Sequence, residues 1–92
     1  MRVEFDEVKN GSNEHKHGVP LSLAASLDWS EMWSTPDTRK DYGELRELGF
    51  APIGGRLYTV VFTQRGDVFR IISLRKSSNR EIDHYEQANL GA

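Results

Sequence analysis

The residues whose types and spacing can do chemistry in this chain are a histidine beside a lysine, a glutamate two positions from an arginine, and a strand rich in arginine. Lys16-His17-Gly18 comes first. Histidine titrates near neutrality and serves as a general acid or base. Beside a lysine and at a helix end, His17 can face an anionic substrate, but the feature by itself suits a structural role better, capping the last carbonyls of the helix. Glu44-Leu45-Arg46 is second. On a strand, positions two apart share a face, so the carboxylate and guanidinium can pair. That pair is either an ordinary surface contact worth about 0–1 kcal/mol or an arginine held so that its fork meets a phosphate. Arg70-Ile71-Ile72-Ser73-Leu74-Arg75-Lys76 is third. An arginine inside an apolar strand is costly unless it is paired or aimed at a cleft, and Glu44 is a candidate partner. Arg70 and Arg75 are five apart, so strict alternation sends them to opposite faces. They serve one site only where Arg75 lies at a strand end or a bulge re-aims it. Arg80, Glu81 and Tyr85 follow on a final helix, where Ile82 and Tyr85 form the apolar stripe.

Charge favours the same region. Residues 1–46 carry six basic and nine acidic side chains, and residues 47–92 carry six and five. Within 65–80, five basic residues face Asp67 alone, a local net charge of +4 in a chain of net −2. A local field governs an anionic ligand more than the whole-chain sum does. With no cysteine, a disulfide scaffold, a thiolate zinc site and a cysteine nucleophile are all excluded. His15-x-His17 points its rings to different sides of a helix and lacks a marked third ligand, so no metal and no cofactor is expected.

The elements that position these residues fit one domain, 1–92. Apolar residues make up 37% and charged residues 28%, an ordinary globular balance. No apolar run approaches the roughly 20 residues of a membrane span. The opening Met1-Arg2-Val3-Glu4-Phe5-Asp6 lacks a signal-peptide core, so a cytoplasmic protein is expected. Arg2 to Phe5 alternates as a short strand. Asp6 caps a weak helix, containing Gly11, that stops at Gly18. A short apolar helix starts near Pro20, and Trp29 to Tyr42 reads as a loop. Glu44 to Ile53 is a strand that Pro52 restricts to an edge or a bulge. Gly54-Gly55 turns into Arg56 to Gln64; Arg65-Gly66 or Gly66-Asp67 turns into Val68 to Arg75. Ser78 and Glu81 make a capping box, and Gly91 lies beyond the last helix. The fold class is α+β: a small antiparallel sheet with helices packed against it, in the order β-α-α-β-β-β-α.

Taken together, Phe5-Asp6-x-x-Lys9, Lys16-His17-Gly18-Val19, Asp37-Thr38-Arg39, Tyr42-Gly43-Glu44-x-Arg46, Arg70-Ile71-Ile72-Ser73-x-Arg75-Lys76 and Arg80-Glu81-x-x-x-Tyr85 resemble the BrnT-type toxins of type II toxin–antitoxin modules. The resemblance implies a RelE-like fold and a ribonuclease that arrests growth. It implies an RNA substrate, no membrane partner, and a BrnA-like ribbon-helix-helix antitoxin in a heterotetramer. DNA would then be met only through the antitoxin. By position it marks His17, Glu44, Arg46, Arg70 and Arg75 for catalysis, and Lys16, Ser73, Lys76 and Arg80 for RNA contact. The resemblance does not assign the proton transfer; by its chemistry His17 is the candidate, and Arg46, Arg70 and Arg75 are the candidates for clamping phosphate. Glu44 would orient Arg46 or act as a base. After Arg46, the residues Glu47, Gly49, Ala51 and Pro52 interrupt the apolar strand usual in the family. A reading of another class stays open: a non-catalytic antitoxin-binding scaffold or co-repressor. A metal-dependent nuclease would need a carboxylate cluster that the spacing does not offer.

Overall fold

A computed structural model describes residues 2–90, so the expected stop at Gly91 lies outside the described residues. The elements are β1 (Arg2–Glu4), α1 (Glu7–His17), two 3-10 turns (Leu21–Ser26 and Trp29–Glu31), β2 (Trp33–Pro36), β3 (Glu47–Ile53), β4 (Arg56–Arg65), β5 (Val68–Lys76) and α2 (Asn79–Leu90). The sheet runs β1-β5-β4-β3-β2. It is mixed, which corrects the antiparallel expectation: β1 lies parallel to β5, and the other three pairs are antiparallel. A parallel pair needs a crossover connection, and nothing local in Arg2–Glu4 announces one. The order is corrected as well. The stretch expected as a loop contains a 3-10 turn and the edge strand β2, and the apolar helix after Pro20 is a 3-10 turn.

One face of the sheet holds the core. Val60 and Phe62 of β4, Ile71 and Leu74 of β5, and Ala51 of β3 pack under Val19, Leu21, Ala24 and Leu27. Trp29 closes this layer, with its ring 5.2 Å from Phe62 and 4.7 Å from Phe69. The small residues of β3 fit the layer. A side chain at Gly49 would collide with the Met32 sulfur and press on the Phe62 ring, and Ala51 is wholly buried. Pro52 is tolerated because β2 pairs only with Glu47–Phe50. The Pro52 carbonyl points to that open side, where it accepts a hydrogen bond from the Asp28 N–H at 2.9 Å. Its missing N–H faces the same way, so no ladder bond to β4 is lost.

Helix α1 begins as expected, with the Asp6 carboxylate accepting the Val8 and Lys9 N–H groups. It ends at Gly18, whose φ of 80° suits a residue without Cβ. Its docking is polar. β1 pairs only with Val68–Arg70, and α1 covers the rest of the β5 edge. The buried Asn13 amide donates to the Leu74 and Val19 carbonyls, both at 2.7 Å, and accepts the Leu74 N–H at 3.3 Å. Asn10 accepts the Ser22 N–H at 3.0 Å.

Candidate functional site

The face of the sheet away from the core carries Thr59, Val61 and Thr63 of β4 opposite Arg75, Ser73 and Arg70 of β5. This grouping depends on a β-bulge. Val61 pairs with Ser73, but the next residue, Phe62, pairs with Ile71, so Ile72 is the extra residue. The bulge lets Ile71 and Leu74 both face the core and brings Arg70 and Arg75 to one face. They remain four strand positions apart, about 13 Å along the sheet.

A hollow of about 160 Å³ opens on this face. Arg75 enters it from β5, and Arg39 and Arg46 enter from the segment joining β2 to β3. Leu48, Thr59 and Ser73 are among the residues that floor it. The connecting segment is closed at its base by the Asp37 N–H donating to the Arg46 carbonyl at 2.8 Å. Within it the buried Asp37 carboxylate accepts Arg39 Nε at 2.8 Å, Arg39 Nη2 at 2.7 Å and the Tyr42 hydroxyl at 3.3 Å. The hydrogen bonds from Arg39 hold the Asp37 carboxyl down at about 2. The Arg46 guanidinium lies 4.1 Å over the Tyr42 ring and touches Glu44 at 3.3 Å. Glu44 and Arg46 therefore pair as expected, although both precede β3 instead of lying on it.

Arg75 is held from the other side. Glu81 grips both terminal nitrogens at 2.7 and 2.8 Å. The same carboxylate accepts the Ser78 N–H at 2.8 Å, and Ser78 Oγ accepts the Glu81 N–H at 3.3 Å, which is the capping box of α2. The hydrogen bonds from Arg75, helped by that N–H, lower the Glu81 pKa to about 2. A carboxyl depressed from 4.5 to about 2 adds stability that is present above 4.5 and lost as pH falls toward 2. Between those values, wild-type protein is expected to lose melting temperature more steeply than Glu81→Gln, measured by circular dichroism.

A second hollow, of about 210 Å³, adjoins the first and shares Ile72 and Ser73 with it. His17, Lys16 and Lys9 of α1 line it. Burial lowers the His17 pKa, and the charges of Lys16 and Arg75 push the same way. His17, Lys16, Ser73, Arg46 and Arg75 thus line two adjacent hollows, with Glu44 paired to Arg46. Arg70 does not join them: it pairs with Glu4 at 3.2 Å, both half-exposed. Lys76 lies opposite Tyr58 and so falls on the core side of the strand end. Arg80 lines a third, apolar hollow with Trp33, Phe50 and His84. Among the described residues, no three His, Cys, Asp or Glu side chains converge to hold a metal ion. No described helix is long and apolar enough to cross a membrane. Sequence reasoning missed Arg39 as a site residue. Its signal was the Asp37-Thr38-Arg39 triplet, but it lay in an expected loop with no element to aim it.

The site therefore defines a small α+β protein with three arginines around one hollow and an imidazole in the hollow next to it, side chains of the types that can hold a phosphate. Residues 5–81 match the family described as the ribonuclease toxin BrnT of type II toxin–antitoxin systems, and the chain belongs to that family. Membership implies an RNA target and an antitoxin partner. No individual curated protein matches the chain.

Proposed function

We propose that this toxin cleaves RNA without a metal ion, using the RNA's own 2′-hydroxyl as nucleophile. The observation that supports this most is that the arginine hollow and the hollow of His17 lie side by side, with Ile72 and Ser73 lining both. Arg39, Arg46 and Arg75 hold the scissile phosphate and stabilise the charge that builds on it. Burial and the nearby cations Lys16 and Arg75 favour the neutral form of His17, the form that can take the 2′-hydroxyl proton. The 2′-oxygen bonds to phosphorus as the bond to the 5′-oxygen breaks, leaving a 2′,3′-cyclic phosphate. The departing 5′-oxygen takes a proton from the Lys16 ammonium or from water. Asp37, Glu44 and Glu81 are positioning residues that fix the three guanidinium forks. The neutralising antitoxin is BrnA-like, a ribbon-helix-helix protein that joins the toxin in a heterotetramer.

RNA cleavage by purified protein is expected to persist in EDTA and to fall about 10²–10⁴-fold in His17→Ala. The acidic limb of the wild-type pH–rate profile should lie below the 6.5 of an ordinary histidine, and His17→Ala should lose that limb. Chelator-sensitive cleavage, or full activity in a folded His17→Ala protein, would count against the mechanism. One observation favours a scaffold instead: each arginine of the hollow already has a carboxylate partner. A scaffold predicts no cleavage by the free protein and undiminished antitoxin binding.

A further inference from the structure

The third hollow, about 270 Å³, lies against the arginine hollow and shares Leu48 with it. The surface it exposes is almost wholly apolar, and Trp33, Leu48 and Phe50 are the apolar side chains that line it. Trp33 stacks nearly parallel on Phe50, with ring centres 5.5 Å apart and planes 11° apart, which fixes the indole plane. His84 of α2 stands edge-on to the same ring at 4.7 Å. Trp33 is half-buried and His84 is exposed. At the rim are Arg80 and Glu81, and Glu81 is the carboxylate that grips Arg75. An aromatic slot one side chain away from a guanidinium cluster matches a planar heterocycle tethered to a phosphate. Single-stranded nucleic acids are held in this way, with bases on aromatic faces and the backbone on cations.

We propose that this hollow is a nucleobase subsite. The unpaired base next to the phosphate at Arg39, Arg46 and Arg75 enters against Trp33, with the His84 imidazole at its edge and Arg80 toward the flanking backbone. The subsite gives the enzyme a base preference at one position beside the cleaved bond. This rests on the ribonuclease reading above. The apolar walls and the shared Leu48 favour a base over a second phosphate, which would find only Arg80 as a cation there.

The test starts from a short single-stranded RNA in which wild-type cleavage has been mapped. A 2′-deoxy sugar at the cut position then gives an uncut ligand, and an abasic sugar is placed in turn at each neighbouring position. One abasic position is expected to weaken wild-type binding about 10- to 100-fold. The same change should cost Trp33→Leu almost nothing, because that variant has already lost the stacking face. Trp33→Phe should stay close to wild type, and His84→Ala, on the exposed side of α2, should broaden the base preference at that position. Two results would overturn the proposal: abasic effects equal in wild type and Trp33→Leu, or no neighbouring position at which an abasic sugar weakens wild-type binding. An apolar hollow reserved for a protein partner would produce the first of these. Wild-type protein that cuts no RNA would remove the ribonuclease reading and the subsite together, whereas cleavage without base preference would remove the subsite alone.

Discussion

Arg75→Ala is expected to lower RNA cleavage by about 10²–10³-fold, the usual loss for one preorganised donor at a developing oxyanion, without unfolding the protein. Arg75 is the arginine of the hollow carried by a sheet strand, and it is half-exposed, so its truncation leaves no cavity in the core. Its fork is already set by two charge-assisted bonds to Glu81, and little reorganisation is needed when a phosphate arrives. Arg75→Lys keeps the charge but loses the planar fork, so it should recover only part of the activity. Arg70→Ala supplies the contrast. Arg70 shares the face but stands about 13 Å along the sheet from Arg75, paired with Glu4. Its loss should weaken cleavage mainly at low salt, where long-range fields act. Initial rates on one mapped RNA, at two salt concentrations and with melting curves alongside, separate these outcomes. Equal losses in the two alanine variants would mean that the phosphate lies nearer Arg70 than the hollow implies.

The contrast also marks how far the sequence was legible. Arg70 and Arg75 belong to one motif, and alternation alone puts them on opposite faces. Only the register of β5 against β4, with Ile72 as the extra residue, resolves where each one goes. Local signals were readable because they act over a few residues: Asp6 as a cap, Gly18 as a stop, the glycine turns at 54–55 and 66–67, and the Ser78–Glu81 box. Long-range pairing was not. Arg2–Glu4 pairs with residues some 66 positions away, and no propensity encodes that partner. The segment from Trp29 to Tyr42 reads as a loop because it is polar and rich in turn formers. Its order comes from side chains instead: Asp37 gathers Arg39 and Tyr42, and Trp33 lies on Phe50. Half of the candidate site was therefore visible as residue types, while the convergence of Arg39 with Arg46 and Arg75 was not.

Asn13→Ala is expected to destabilise the fold by about 3 kcal/mol or more, since each buried backbone group left without a partner costs about 1–3 kcal/mol. Helix α1 has weak local reasons to exist: Gly11 and Asn13 are poor helix formers, and no apolar side chain of the helix is fully buried. The Asn13 amide replaces a strand neighbour instead, satisfying the Leu74 N–H and carbonyl and the Val19 carbonyl at once. Removing it strands the Leu74 N–H and carbonyl at the edge of β5, next to the bulge that aims Ser73 and Arg75, and the Val19 carbonyl just beyond α1. For a domain this small, such a loss should lower the melting temperature by roughly 10–25 °C. Asn13→Asp gives a sharper test. A carboxylate can still accept the Leu74 N–H, but it faces two carbonyls without a proton to offer, so at neutral pH it should be at least as damaging as alanine. Burial and the facing carbonyls raise its pKa. Protonation then restores one donor, and Asn13→Asp should regain stability relative to Asn13→Ala as pH falls from 7 toward 5. Melting curves of the three proteins across that range decide it: parallel curves for the two variants would mean that solvent, and not this amide, satisfies the β5 edge.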